Sequence, residues 1–133
     1  MELEKKRPIE EDYCSFEVGE LLSECGFNED ILFYYSRDDK TIEEDSAWTR
    51  ALPQDYYPCC THQRAMKWLR EKKNIYIQIR FSGLVVPVTK YVVDILDAEG
   101  NWIDNNLEER TYYDIVESTL KFCLSRLVKN NRG

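Results

Sequence analysis

A chain of 133 residues and 15.9 kDa, 43% hydrophobic and 13% aromatic, is sized for a single compact domain and leaves no room for two. With 32% charged residues and only five glycines and four prolines, it is neither low-complexity nor disordered in composition. Its net charge of −7 speaks against generic adhesion to nucleic acid or to an anionic membrane surface.

The charge is unevenly laid down. Met1 to Arg50 holds six basic and 15 acidic residues, whereas Ala51 to Lys90 holds seven basic and two acidic. Either folding interleaves these segments into compensated surface pairs, or the middle third presents a basic face. Five cysteines, Cys14, Cys25, Cys59, Cys60 and Cys123, form an odd set. The chain opens Met-Glu-Leu-Glu-Lys-Lys-Arg with no apolar stretch behind the charges. Together these predict free thiols in a cytoplasmic protein that is not exported.

Residues 1–14 are charge-dense, carry Pro8 and read as a flexible lead-in, with one domain over 15–133. Ser15 is placed to cap a first helix, in which Val18, Leu21, Leu22 and Cys25 recur at helical spacing and Gly26 supplies the stop. Phe27 follows as a hydrophobic anchor. Ile31 to Ser36, β-branched and aromatic between two polar clusters, predicts a strand. Thr41 to Cys60 shows no sustained period and reads as a long loop. Thr61 caps a second helix from about His62 to Lys72, with Ala65, Met66 and Leu69 on one face and Trp68 at its edge.

Ile75, Ile77, Ile79 and Phe81 then alternate with Tyr76, Gln78 and Arg80, the period of a half-buried strand that ends at Gly83. A partner strand follows Pro87, with Tyr91, Val93 and Ile95 on one face and Lys90, Val92 and Asp94 on the other. Asp97-Ala98-Glu99-Gly100 is a turn leading to a short strand around Trp102-Ile103. Thr111-Tyr112-Tyr113-Asp114 has the form of a capping box, and the helix it opens carries Val116, Leu120, Cys123, Leu124 and Leu127 on one stripe. The order α-β-α-β-β-β-α predicts an α+β fold, an antiparallel sheet of three to four strands with helices on one face.

Four constellations carry possible chemistry. Cys59-Cys60-Thr61-His62 gathers soft ligands and the lone histidine, but zinc needs four ligands, usually with Cys-x2-Cys spacing, so no metal is expected here. A thiolate beside an imidazole at a helix start would be nucleophilic, yet no third orienting residue stands out, so no catalytic residue and no cofactor are assigned. Arg64, Lys67 and Arg70 form a helical ridge that, with Lys73 and Arg80, could meet phosphates; the plainer alternative is a solvated helix face. Asp38 to Asp45 is acid-rich but lacks the spacing of a calcium loop. Trp48, Tyr56, Tyr57 and Trp102 fall in loops or near a sheet end, where amphipathic rings either contact another protein or seal a small core.

Ala65-Met66-Lys67-Trp68-Leu69-Arg70-Glu71-Lys72 before the Ile-rich strand, Thr111-Tyr112-Tyr113-Asp114 before Leu120-Lys121-Phe122-Cys123-Leu124, and the Phe33-Tyr34-Tyr35 strand resemble small uncharacterised prophage and mobile-element proteins of gut bacteria. That family brings no catalytic residues to carry over; the resemblance implies a non-enzymatic phage-type accessory protein. The chain departs from it at Pro58-Cys59-Cys60-Thr61, where Ala-Pro-Thr is the usual form. The order of elements after Thr61 is also similar to the double-stranded RNA-binding domain, in topology only; the Gly-Pro-x-His loop and the Lys-Lys-x-Ala-Lys helix start are absent. The functional expectation is a non-enzyme that binds a protein partner through Trp48, Tyr56, Tyr57 and Trp102, with weak nucleic-acid binding by the ridge as the alternative.

Overall fold

The structure is a computed structural model describing residues 13–44, 55–82 and 90–132. The first helix, α1 (Phe16–Glu24), begins at Ser15, whose hydroxyl accepts from the Val18 N–H. It ends where Gly26, at φ 92°, lets the Gly26 N–H reach the Ser23 carbonyl and the Phe27 N–H reach that of Leu22. That double closure buries Phe27 against the same core as Leu22. The second helix, α2 (His62–Lys73), is capped by the Thr61 hydroxyl and stops at Asn74, which is left-handed at φ 55°. The long third helix, α3 (Tyr112–Arg132), starts with the Thr111 hydroxyl accepting from the Asp114 N–H.

Among the described residues six strands form two antiparallel three-stranded sheets, β1 (Phe33–Ser36), β2 (Ile42–Glu44) and β3 (Tyr56–Pro58) in the order β2-β1-β3, and β4 (Tyr76–Ser82), β5 (Lys90–Leu96) and β6 (Glu108–Glu109) in the order β4-β5-β6. The fold is α+β with antiparallel sheets and helices packed on their faces, in the order the sequence predicts, with short strands added.

Two of the added strands, β2 and β3, come from the stretch read as a loop. Each is three residues long, too short to show a period, and both are held by pairing to β1. Pro58 sits at a sheet edge, where its missing N–H breaks no ladder between strands. The strand expected at Trp102-Ile103 reduces to a single bridge from Trp102 to Leu96, and the third strand of that sheet is instead Glu108–Glu109.

Helices α1 and α3 pack on each other, α1 also on β3, α2 on β4, and α3 on β5 and β6. The main core joins Val18, Leu22, Leu69, Ile95, Ile115, Leu120 and Leu124 from α1, α2, α3 and the second sheet. A smaller cluster of Phe33, Tyr35 and Cys59, edged by Tyr13, Phe16 and Tyr57, lies under the first sheet.

Close approach of α1 to β3 fixes one residue type. A methyl group on Gly19 would lie 2.4 Å from the Pro58 carbonyl oxygen, a backbone atom that moves only if the strand moves. Gly19→Ala is therefore expected to lower stability by about 1–3 kcal/mol, read as a shifted denaturant midpoint.

Candidate protein-contact surface

The lone histidine lies in the interior. His62, at the first position of α2, is 4% exposed, and its Nε2 lies 2.8 Å from Oε2 of Glu117, which is 6% exposed. The Ser15 N–H donates to the same oxygen at 3.0 Å, and the Tyr113 ring lies against the imidazole at 5.2 Å. Burial pushes the Glu117 carboxyl up, but the hydrogen bonds from His62 and Ser15 outweigh it and hold the group below the ordinary glutamate value.

A nucleophile does not join this pair. No thiol hydrogen-bonds to His62 among the described residues. Cys59 faces the other way, into the Phe33 and Tyr35 cluster, and burial pushes its thiol up to about 11. Cys123 is pushed by burial to about 12, and Cys25 is likewise raised. Among the described residues no three His, Cys, Asp or Glu side chains are arranged to hold a metal ion, and none of the described helices is long and apolar enough to cross a membrane.

The cationic residues are dispersed. Arg64 Nη2 reaches Glu29 Oε1 and the Asp30 carbonyl, both at 3.4 Å, and Lys73 Nζ stands 5.4 Å from the Trp68 ring centre. Arg80 lies on the sheet, where it grips Asp94 through Nε at 2.6 Å and Nη2 at 3.2 Å. Of the five candidate phosphate contacts, Lys67 and Arg70 are left exposed on α2.

The aromatic residues fare differently from one another. Trp48 lies outside the described residues. Tyr57 is half-buried on β3, with its ring 5.3 Å from that of Phe16 and the Arg37 guanidinium 4.5 Å above it, so it seals the smaller cluster. Tyr56 is half-buried beside it. Trp102 is 68% exposed.

Strand register gives Trp102 its company. Tyr76 pairs with Leu96, and Leu96 bridges Trp102, so the three side chains form one row across the second sheet. They share the face opposite Ile77, Ile79, Val93 and Ile95, which point into the core. Tyr76 is 44% exposed, and the next rows of that face hold Gln78 with Asp94, then Arg80, Val92 and Glu108. Between Asp94 and Glu109 there are six acids and no base. Arg80 answers Asp94, Lys90 answers Glu108 and Glu109 accepts from the Ser118 hydroxyl; of the remaining acids, Asp97 and Glu99 share a cavity lining with Lys73 and Arg126, and Asp104 is exposed.

The turn that presents Trp102 is well made. Asp97 Oδ1 accepts from the Glu99 and Asn101 N–H groups at 2.9 Å each, and Gly100 takes φ 85° while its N–H donates to the Asp97 carbonyl. Ile103, one residue on, donates to the Ile95 carbonyl and packs on the core, so the Trp102 backbone is held while its side chain stands out.

Leu96 and Glu117 did not stand out in the sequence as site residues, and Tyr76 stood out only as the aromatic beside the cationic cluster. The signal for Tyr76 is an aromatic on the polar face of an alternating strand. For Glu117 it is an acid on the stripe shared with Leu120 and Leu124. No family model, curated protein or solved structure matches the chain.

Two outcomes test these placements. Because the Glu117 carboxyl is held below its ordinary value of 4.5, the stability it contributes is complete above that pH and drains away as pH falls below it. Denaturant midpoints should therefore fall on acidification from pH 5 to pH 3, and Glu117→Gln should flatten that limb while costing about 1–3 kcal/mol at neutral pH. Electrophoretic titration at low salt should show no retarded band with single- or double-stranded nucleic acid, since the ridge keeps too few open cations for a phosphate track.

Proposed function

We infer that the chain works by binding a protein partner through the outer face of its second sheet, with Trp102 as the anchor and Tyr76 and Leu96 as its flanks. The observation that carries this reading is the row set by strand register, in which exposed Trp102 and Tyr76 flank half-buried Leu96 on a hydrogen-bonded support. Aromatic anchors on fixed backbone lose little entropy on binding and account for much of the energy at small interfaces.

The Trp102 ring calls for an apolar depression in the partner, and the exposed acids near it in the chain, Glu99 and Asp104, favour Lys or Arg at the rim of that depression. Such an interface associates faster at low ionic strength, because the opposed charges steer the encounter. Phosphate-bearing partners meet the wrong sign of charge at this face. The reading assigns no bond-making step to the chain, in keeping with thiols that burial holds protonated.

Trp102→Ser is the decisive variant, since its exposed ring contributes little to folding and thermal unfolding should match the parent. Immobilised parent chain should retain a basic protein from nuclease-treated host lysate at low salt, and the variant should lose it, with binding weakened by about 2 kcal/mol. Capture of nothing, or equal capture by both chains, overturns the reading; capture abolished by nuclease favours nucleic acid instead.

A further inference from the structure

All five cysteines are free and buried, and the protein-contact reading uses none of them. Two are placed unlike the others. The antiparallel bridge between Tyr13 and Thr61 sets Cys14 opposite Cys60, and the Cys14 N–H donates to the Cys60 carbonyl at 2.8 Å. Residues opposed in this way have α-carbons about 4.5–5.5 Å apart, inside the span a disulfide bridges. Their sulfur atoms are already 4.0 Å apart. Neighbouring residues on extended backbone point to opposite sides, so Cys60 joins the main core with Cys14 while Cys59 joins the other cluster.

We propose that Cys14 and Cys60 are an oxidation site, a dithiol that closes into one specific disulfide when the chain meets a peroxide. Hydrogen peroxide oxidises one thiol to a sulfenic acid and releases water. The sulfur of the other thiol then attacks it; the S–S bond forms, the S–O bond breaks, and the departing hydroxide takes the thiol proton as a second water. The two sulfurs lose two electrons, and the peroxide O–O bond gains them.

The surroundings set when this happens. Cys14 is wholly buried and Cys60 nearly so, which keeps peroxide away from both while the segment is docked. The contact with Cys60, burial and the nearby Glu117 charge all hold the Cys14 thiol protonated. Oxidation therefore follows opening of the Tyr13–Ser15 segment, which is tied down by the bridge to Thr61, by Tyr35 donating to the Cys14 carbonyl at 2.6 Å, and by Ser15 donating to Glu117. Once formed, the bond links positions 46 apart in sequence and locks that segment in place.

The test treats the full chain with hydrogen peroxide, quenches with an alkylating agent and maps the digested peptides by mass spectrometry without reductant. The expected result is loss of two hydrogens per chain and a crosslinked peptide whose fragmentation places the bond between Cys14 and Cys60. Low concentrations of urea should accelerate the reaction severalfold, and dithiothreitol should reverse it. Cys59→Ser and Cys25→Ser should keep the crosslink, Cys60→Ser should lose it, and the oxidised parent should melt several degrees higher. A bond to Cys59, sulfinic or sulfonic acid without a crosslink, or five alkylated thiols after prolonged exposure would each overturn the proposal; because the map is read on the parent chain, it stands even where a variant fails to fold.

Discussion

A carboxylate with almost no access to water needs donors, and Glu117 takes them from the starts of α1 and α2. The Ser15 N–H comes from the cap of α1 and the His62 imidazole from the first turn of α2. Helix starts carry partial positive charge, so the negative group in α3 sits where two dipoles and two hydrogen bonds favour it. The interaction specifies more than it stabilises. An apolar substitute of the right shape could match it in energy, but removal of one partner would strand a buried charge. Much else depends on that meeting point: the segment carrying Cys14 is drawn against Cys60, α1 is set on α3, and the first sheet is brought in through β3.

On the far side of α2 and α3, the second sheet has the opposite character. Its inner face is closed by Ile77, Ile79, Val93 and Ile95, and its outer face is left to solvent with an apolar row at one end. The polar side chains there pair along the face, Arg80 with Asp94 and Lys90 with Glu108, which holds them flat and leaves Trp102 standing above them. Rigid support below and an apolar projection above are the properties wanted in a contact surface, and they lie away from the buried polar cluster.

How much of this was legible in the residues depends on the range of the forces involved. The helices follow from local chemistry: Ser15, Thr61 and Thr111 cap, Gly26 and Asn74 stop, and the apolar stripes recur at helical spacing. The long strands β4 and β5 follow from alternation over seven residues. What was not legible is set by pairing across the chain. Strands β2, β3 and β6 have two or three residues each and exist because a partner strand lies alongside. The contact row was hidden for the same reason, since Tyr76, Leu96 and Trp102 become neighbours only through register. The pairing of two of the candidate cations was equally non-local: Glu29 takes up Arg64 of the ridge, and Asp94 on the neighbouring strand takes up Arg80.

The junction from Pro58 to Thr61 feeds two interiors from one short piece of extended backbone. Cys59 fills one cluster and Cys60 the other, with the strand pairing of Pro58 on one side and the helix cap of Thr61 on the other. One residue gained or lost here would turn each sulfur toward the wrong interior and carry the helix cap out of reach of its amide. The spacing of these four residues is thus under tighter restraint than their identities: conservative replacements of the thiols can be absorbed, whereas a change in length cannot. The hairpin from Ser36 to Thr41 feeds one interior only: Arg37 lies over the Tyr57 ring and Lys40 over Phe16, both at the edge of the smaller cluster.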